Sequence, residues 1–195
     1  MLKKILLIDG HPDPSPQRFD HALTEEYRRA AVAAGHEVRV TQLATLQFPW
    51  LRTSQDFHSG KPPAVIVQQQ QFLSWAEHVV IIYPLWLGSM PALLKAYLEQ
   101  LLRPGFAFEA AKAKGFPKKL LQGRSVRIFV TMGMPSLFYT LVYRAHSLKS
   151  LERNILGAAG FKPIRATVIG HIEGVSAKQR KVILADAAAL GARAM

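Results

Sequence analysis

The chain contains no cysteine, which excludes a disulfide framework, a thiolate metal site and a cysteine nucleophile. Acidic residues are scarce: 13 Asp and Glu stand against 25 Lys and Arg, a formal net charge of +12. That imbalance favours anionic partners without choosing among a phosphate-bearing ligand, nucleic acid and an acidic membrane surface. No stretch reaches the ~18 uninterrupted apolar residues of a membrane span. The apolar residues Ile5 to Ile8 of MLKKILLIDG are too few for the apolar region of a signal peptide. A soluble, cytoplasmic protein is the expectation. The sequence also lacks G-x-G-x-x-G, a Walker loop, H-E-x-x-H and G-x-S-x-G, so classical dinucleotide folds, NTPases, zincins and serine hydrolases have no motif support. HIEG (171–174) comes without the cysteines a zinc deaminase needs. Nucleic-acid binding would rest on charge alone, and none is expected.

What is present suits one α/β domain over residues 1–195, since 49% of the chain is hydrophobic and its length is that of a single domain. Ile5 to Ile8 form a short apolar run of the kind buried on both faces of a parallel sheet. Phe19, Leu23, Tyr27, Ala30, Ala31 and Ala34 recur at helical spacing, and Gly35 supplies a stop. HEVRVTQL (36–43) alternates like a strand nearer the sheet edge. Residues 44–63 show no period and read as a long loop, a kind that is usually functional or mobile. A polar helix at about 64–76 precedes HVVIIYP (78–84), whose contiguous apolar residues predict a central strand. Ser89 as N-cap and Pro91 in the first turn predict a helix with a wide apolar face. RSVRIFVTMG (124–133) and KPIRATVIG (162–170) read as further strands, with a helix around 147–158 between them. Ser176 and Gln179 spell a capping box for a last helix. Strands alternating with helices indicate a parallel, doubly wound sheet. There is no internal repeat.

Ligands of such sheets bind beyond the carboxyl ends of the strands, so three segments hold the candidate chemistry. In DGHPDPSPQRF (9–19), Ser15 followed by Pro16 predicts a helix start whose free N–H groups and dipole would suit a phosphate, with His11 and Arg18 as further donors. The alternative is that Ser15 only caps and His11 only closes the turn. Leu85, Trp86 and Leu87 leave the central strand and need covering, either by a flat aromatic ligand or by the 44–63 loop or a subunit interface. Thr131, Met132 and Gly133 end the next strand, where Gly133 either admits a ligand close to the backbone or simply turns the chain.

The segments DGHPDPSPQRFDHAL, AGHEVRVTQL, YPLWLGSMPALLKAYLEQLLRPGFAFE and TMGMPSLFYT with AHSLKSLERNILGAAGF resemble the flavodoxin-like NAD(P)H:quinone oxidoreductases. These are the DT-diaphorase relatives, which include bacterial drug-activity modulators and ancillary subunits of glutathione-gated potassium efflux systems. The resemblance spans nearly the whole chain. It implies a five-stranded parallel sheet of order 2-1-3-4-5 with helices on both faces, and a homodimeric flavoprotein carrying FMN, or FAD, at the sheet edge. It further implies that His11, Ser15, Arg18 and Phe19 form the phosphate and ribityl loop, and that Pro84, Leu85, Trp86 and Leu87 flank the isoalloxazine. Thr131, Met132 and Gly133 would supply backbone donors to its polar edge, and Tyr139 and His146 would lie near its carbonyl side as catalytic groups. Both also have a simpler reading, Tyr139 as a packing residue and His146 in an N-capping context. Met134 stands where the family has a second glycine, which implies a differently shaped substrate pocket. The implied reaction transfers a hydride from NADPH or NADH to the flavin and then two electrons to a quinone. A flavin-binding subunit docking on a transporter is the alternative role. The basic segment 112–127 is read either as an attractor for NADPH phosphates or an acidic partner, or as a solvated connection.

Overall fold

In the computed structural model, which describes residues 1–109 and 118–195, five parallel strands form one sheet of order β2-β1-β3-β4-β5. They are β1 (Lys4–Asp9), β2 (Glu37–Gln42), β3 (His78–Pro84), β4 (Ser125–Thr131) and β5 (Ile164–Ile169). The central β3 is buried at every position, which is why its sequence is an unbroken apolar run. β2 and β5 are the edges and carry partly exposed residues, as expected for a strand nearer the sheet edge; the alternation of Val38 and Val40 does not mark a buried face, since Val40 is exposed and Thr41 is buried.

Helices cover both faces. α1 (Phe19–Ala33) and α8 (Ala177–Arg193) pack on the face formed by Ile5, Leu7, Val80, Ile82 and Phe129. The alternate residues Leu6, Ile8, Val79, Ile81, Tyr83 and Ile128 face the larger core built with α3 (Ala64–Trp75) and α4 (Ala92–Leu101). Successive strand residues point to opposite faces, so one apolar run serves both layers. The capping box of α8 forms as read from Ser176 and Gln179.

Several elements depart from the sequence expectations. α1 begins at Phe19, not at Ser15, and Arg18 flanks it without a side-chain cap. Ser15 is instead held in the preceding loop, its N–H donating to Asp13 Oδ1 (2.8 Å) and its hydroxyl to Gln17 Oε1. That local turn takes the hydroxyl that would have capped the helix. Ser89 is likewise no cap: it exchanges backbone hydrogen bonds with Trp86 (2.8 and 3.0 Å), closing a two-residue turn over Leu87 and Gly88, and α4 starts after Pro91. The 44–63 segment contains the short helix α2 (Ser54–His58), capped by the Thr53 side chain. It is tethered by the buried Arg103, which donates to Asp56 O and Gly60 O, and by Gln100 on Pro49 O. An unread helix α5 (Ser136–Leu141) follows β4. The 147–158 helix is α6 (His146–Ser150), a π-helical turn (Leu151–Leu156) and α7 (Gly157–Ala159) in sequence.

Part of the basic segment, residues 112–117, lies outside the described residues. In the rest of it, Lys119 donates to Gly157 O, and Arg124 donates to Leu73 O and Ser74 O, so these two cations brace the fold. Among the described residues no helix is long and apolar enough to cross a membrane.

Candidate functional site

The site is built where β1, β3 and β4 end. Gly10 opens the first loop: its N–H donates to Ile82 O (2.7 Å), and a Cβ there would lie 2.9 Å from that same oxygen. The loop must therefore leave β1 pressed against β3. Asp9, buried at the end of β1, accepts from His11 N (3.2 Å) and from His21 Nδ1 (2.5 Å). His21 Nε2 meets Asp13 O at 2.9 Å. Both ring nitrogens thus face acceptors, which requires two N–H donors and an imidazolium. Burial opposes that charge, but the bonds to Asp9 and to Asp13 O, with the charges of Asp9 and Asp20, outweigh it and raise the His21 pKa. A fixed positive charge sits beneath the loop.

His11 behaves oppositely. Burial, then the His21 charge, lowers its pKa, so it is neutral near pH 7. Its Nδ1 accepts from Asp13 N (3.1 Å), which leaves the proton on Nε2. Arg18 donates through Nε and Nη2 to Asp13 Oδ2 at 2.7 and 2.6 Å. Across the loop Arg180, on α8, stacks over Phe19 at 5.5 Å and donates to Ile172 O.

These groups border a cavity of about 400 Å³, within the size range of cofactor pockets. Of the residues singled out in the sequence, His11, Arg18 and Phe19 line it from the first loop, Pro84, Leu85 and Trp86 from the second, and Thr131, Met132 and Gly133 from the third. Ser15 and Leu87 do not. Ser15 is turned into its own loop. Leu87 sits at φ +48, fully exposed, on a second cavity of about 720 Å³ that also reaches Trp86 and His146. Trp86 is half exposed rather than covered by residues 44–63, and its ring meets His11 edge-on at 6.0 Å.

The donors of the third segment are fewer than expected. Met132 N is committed to Ile169 O (2.9 Å) and the Thr131 hydroxyl to Asp20 Oδ1 (2.7 Å). The Gly133 N–H has no acceptor among the described residues and is free for a ligand. Tyr139 is not at the cavity. It is buried, and its hydroxyl bonds Ser147 Oγ (2.8 Å) and receives Leu148 N (3.2 Å), tying α5 to the start of α6. The packing reading describes this residue, and a catalytic contact does not. Tyr139→Phe is expected to destabilise the fold by about 1–2 kcal/mol, the cost of stranding the Leu148 amide, with flavin affinity unchanged. Urea unfolding and a flavin titration check this, and a tenfold affinity loss would return the phenol to the site. His146 opens α6 with no side-chain cap and faces the second cavity.

A family model described as flavodoxin-like fold matches residues 3–193. The chain belongs to the flavodoxin-like fold family. It is 30% identical over 208 residues to the ribosyldihydronicotinamide dehydrogenase (quinone) of Homo sapiens, covering 94% of this chain and 88% of that one. Over 150 residues it is 30% identical to the FMN-dependent NADH:quinone oxidoreductase of Bordetella avium, covering 70% and 72%. Its fold matches that of the NAD(P)H:quinone oxidoreductase from Methanothermobacter marburgensis with a TM-score of 0.82 at 19% identity, covering 99% and 97%.

This member of the flavodoxin-like fold family also draws on residues that sequence reasoning missed: Asp13, Gln17, Asp20, Ile172, Glu173 and Arg180 line the same cavity. Asp20 reads in the sequence as an ordinary first-turn acid beside a helix dipole. Arg180 lies 162 residues from Arg18 (180 − 18 = 162), and only the packing of α8 on α1 brings the two to one rim.

Proposed function

We propose that this protein is an NAD(P)H:quinone oxidoreductase that holds FMN in the cavity beyond β1, β3 and β4. The observation that carries the reading is the convergence there of the Arg18 guanidinium on the cavity rim, a half-exposed aromatic and an unpaired backbone donor, which match a phosphate, a flat ring and that ring's polar edge. When bound, FMN supplies two-electron chemistry, accepting a hydride from a nicotinamide and passing electrons to a quinone.

The chain's own residues do the positioning. Arg18 and the His21 imidazolium supply positive charge, and His11 Nε2–H supplies a donor, for the phosphate. Trp86 and Leu85 offer the ring an apolar face, and the Gly133 N–H reaches charge developing on its polar edge. His146 stands on the acceptor side of Trp86, where an imidazole can deliver a proton to the reduced quinone. Leu87, on the rim of that opening, and Leu137, Phe138, Leu141 and Val142 are exposed apolar side chains, and a second copy of the chain covers them in a homodimer.

Purification tests this directly. A yellow protein, bleached by NADH or NADPH without oxygen and recoloured by a quinone, is expected, sedimenting as a dimer. A colourless protein that takes up neither FMN nor FAD would overturn the reading.

A further inference from the structure

We propose that Asp20 is a positioning residue of the phosphate subsite and acts in its neutral, protonated form, so that the flavin phosphate and a proton on Asp20 bind together. The proposal rests on the flavin reading above and assigns a proton-linked residue within it.

Asp20 is the second residue of α1, lines the cavity and is 2% exposed. One carboxylate oxygen, Oδ1, accepts from the Thr131 hydroxyl at 2.7 Å. The other, Oδ2, is buried and has no hydrogen-bond partner among the described residues. An ionised carboxylate in this position leaves an acceptor-only oxygen unsatisfied away from water, whereas the protonated acid has an O–H to offer. Burial accordingly pushes the carboxyl up to about 7.

The groups around it pull in both directions. Thr131 on β4 and His21 on α1 favour the charged form, while Asp9 at the end of β1 opposes it. Around the same cavity stand Arg18 and Arg180, Asp13 and Glu173, and the neutral His11. A phosphate entering here adds negative charge beside Asp20 and raises its proton affinity further. Linkage is reciprocal, so a proton on Asp20 strengthens phosphate binding by the same factor.

The sign follows. Below the free-protein value Asp20 is protonated with or without ligand and adds no pH dependence of its own. Above it, binding must recruit a proton, and affinity falls by up to about tenfold per pH unit until the value in the complex is reached. A phosphate monoester ionises a second time near pH 6 and is mostly dianionic above about pH 7, so the ligand's own charge changes little above that point.

The experiment is a fluorescence titration of the apoprotein with FMN and with riboflavin between pH 6 and 9, and calorimetry in buffers of different ionisation enthalpy. The dissociation constant for FMN is expected to rise above about pH 7 with proton uptake on binding, and that for riboflavin to stay level. Asp20→Asn, neutral throughout, should bind FMN with a profile level above about pH 7 and no proton uptake there. Thr131→Val, which removes the hydroxyl favouring the ionised form, should move the break to higher pH. A level FMN profile in the wild type overturns the inference while leaving the flavin reading intact. An unchanged slope in Asp20→Asn also overturns it and assigns the dependence to His21. If neither flavin binds at any pH, both readings fall.

Discussion

Reversing the charge at Arg18 by Arg18→Glu is expected to weaken FMN binding by about 10- to 100-fold while leaving riboflavin binding within about twofold. The guanidinium is held by the Asp13 carboxylate through two of its nitrogens, a fork that leaves it a further nitrogen for an oxyanion. Glutamate at that position removes the charge-assisted contact. It also places a second carboxylate beside Asp13, at a cavity rim a phosphate dianion must approach. The rim is solvent-facing, so added salt should shrink the difference. Titrations with both flavins at low and high ionic strength measure it. An equal loss for riboflavin and FMN would take Arg18 out of the phosphate subsite.

Gly191→Val is expected to have the largest effect on stability, on the order of 3 kcal/mol or more, because it forces apart two helices that touch through their backbones. A Cβ at Gly191 would lie 2.4 Å from Tyr27 O and 3.1 Å from Tyr27 Cα, and neither atom can swing aside as a side chain could. The same crossing seats Tyr27, whose hydroxyl bonds His78 and Met195 O. The urea midpoint should fall with little change in slope. FMN affinity should drop as well, because α8 carries Arg180 to the cavity and α1 carries Phe19 and Asp20. A fully stable variant would show that the α1–α8 contact is more compliant than its geometry implies.

Sequence reasoning succeeded where the governing interaction is local or a matter of burial. The apolar runs at 5–8 and 78–84 could be placed in buried strands because water must be excluded from both faces of a central parallel strand. The capping box of α8 needs only residues 176 and 179. It failed where two local interactions competed. Ser15–Pro16 has the composition of a helix start, yet Asp13 draws the Ser15 amide and Arg18 into a turn of their own, and the helix begins at Phe19. Tyr139 could be placed near the site by resemblance, but its hydroxyl had partners in Ser147 and Leu148 that no spacing pattern discloses. Met132, likewise, was read as a donor when its amide was already bonded to the end of the neighbouring strand β5 at Ile169 O.

By itself the sequence determined a cysteine-free, strongly basic α/β chain, the alternation that implies a parallel sheet, and the three strand ends at which a ligand would sit. The residues lining the cavity from those ends are mostly the ones it singled out. Only the tertiary structure decided the electrostatics. The charge on His21 follows from an aspartate twelve residues earlier and a carbonyl across the loop. The raised proton affinity of Asp20 follows from its burial, which outweighs the opposing hydrogen bond from Thr131, 111 residues away. Proton affinity depends on which dipoles and charges surround a group once water has been removed, and sheet order and helix packing set those surroundings.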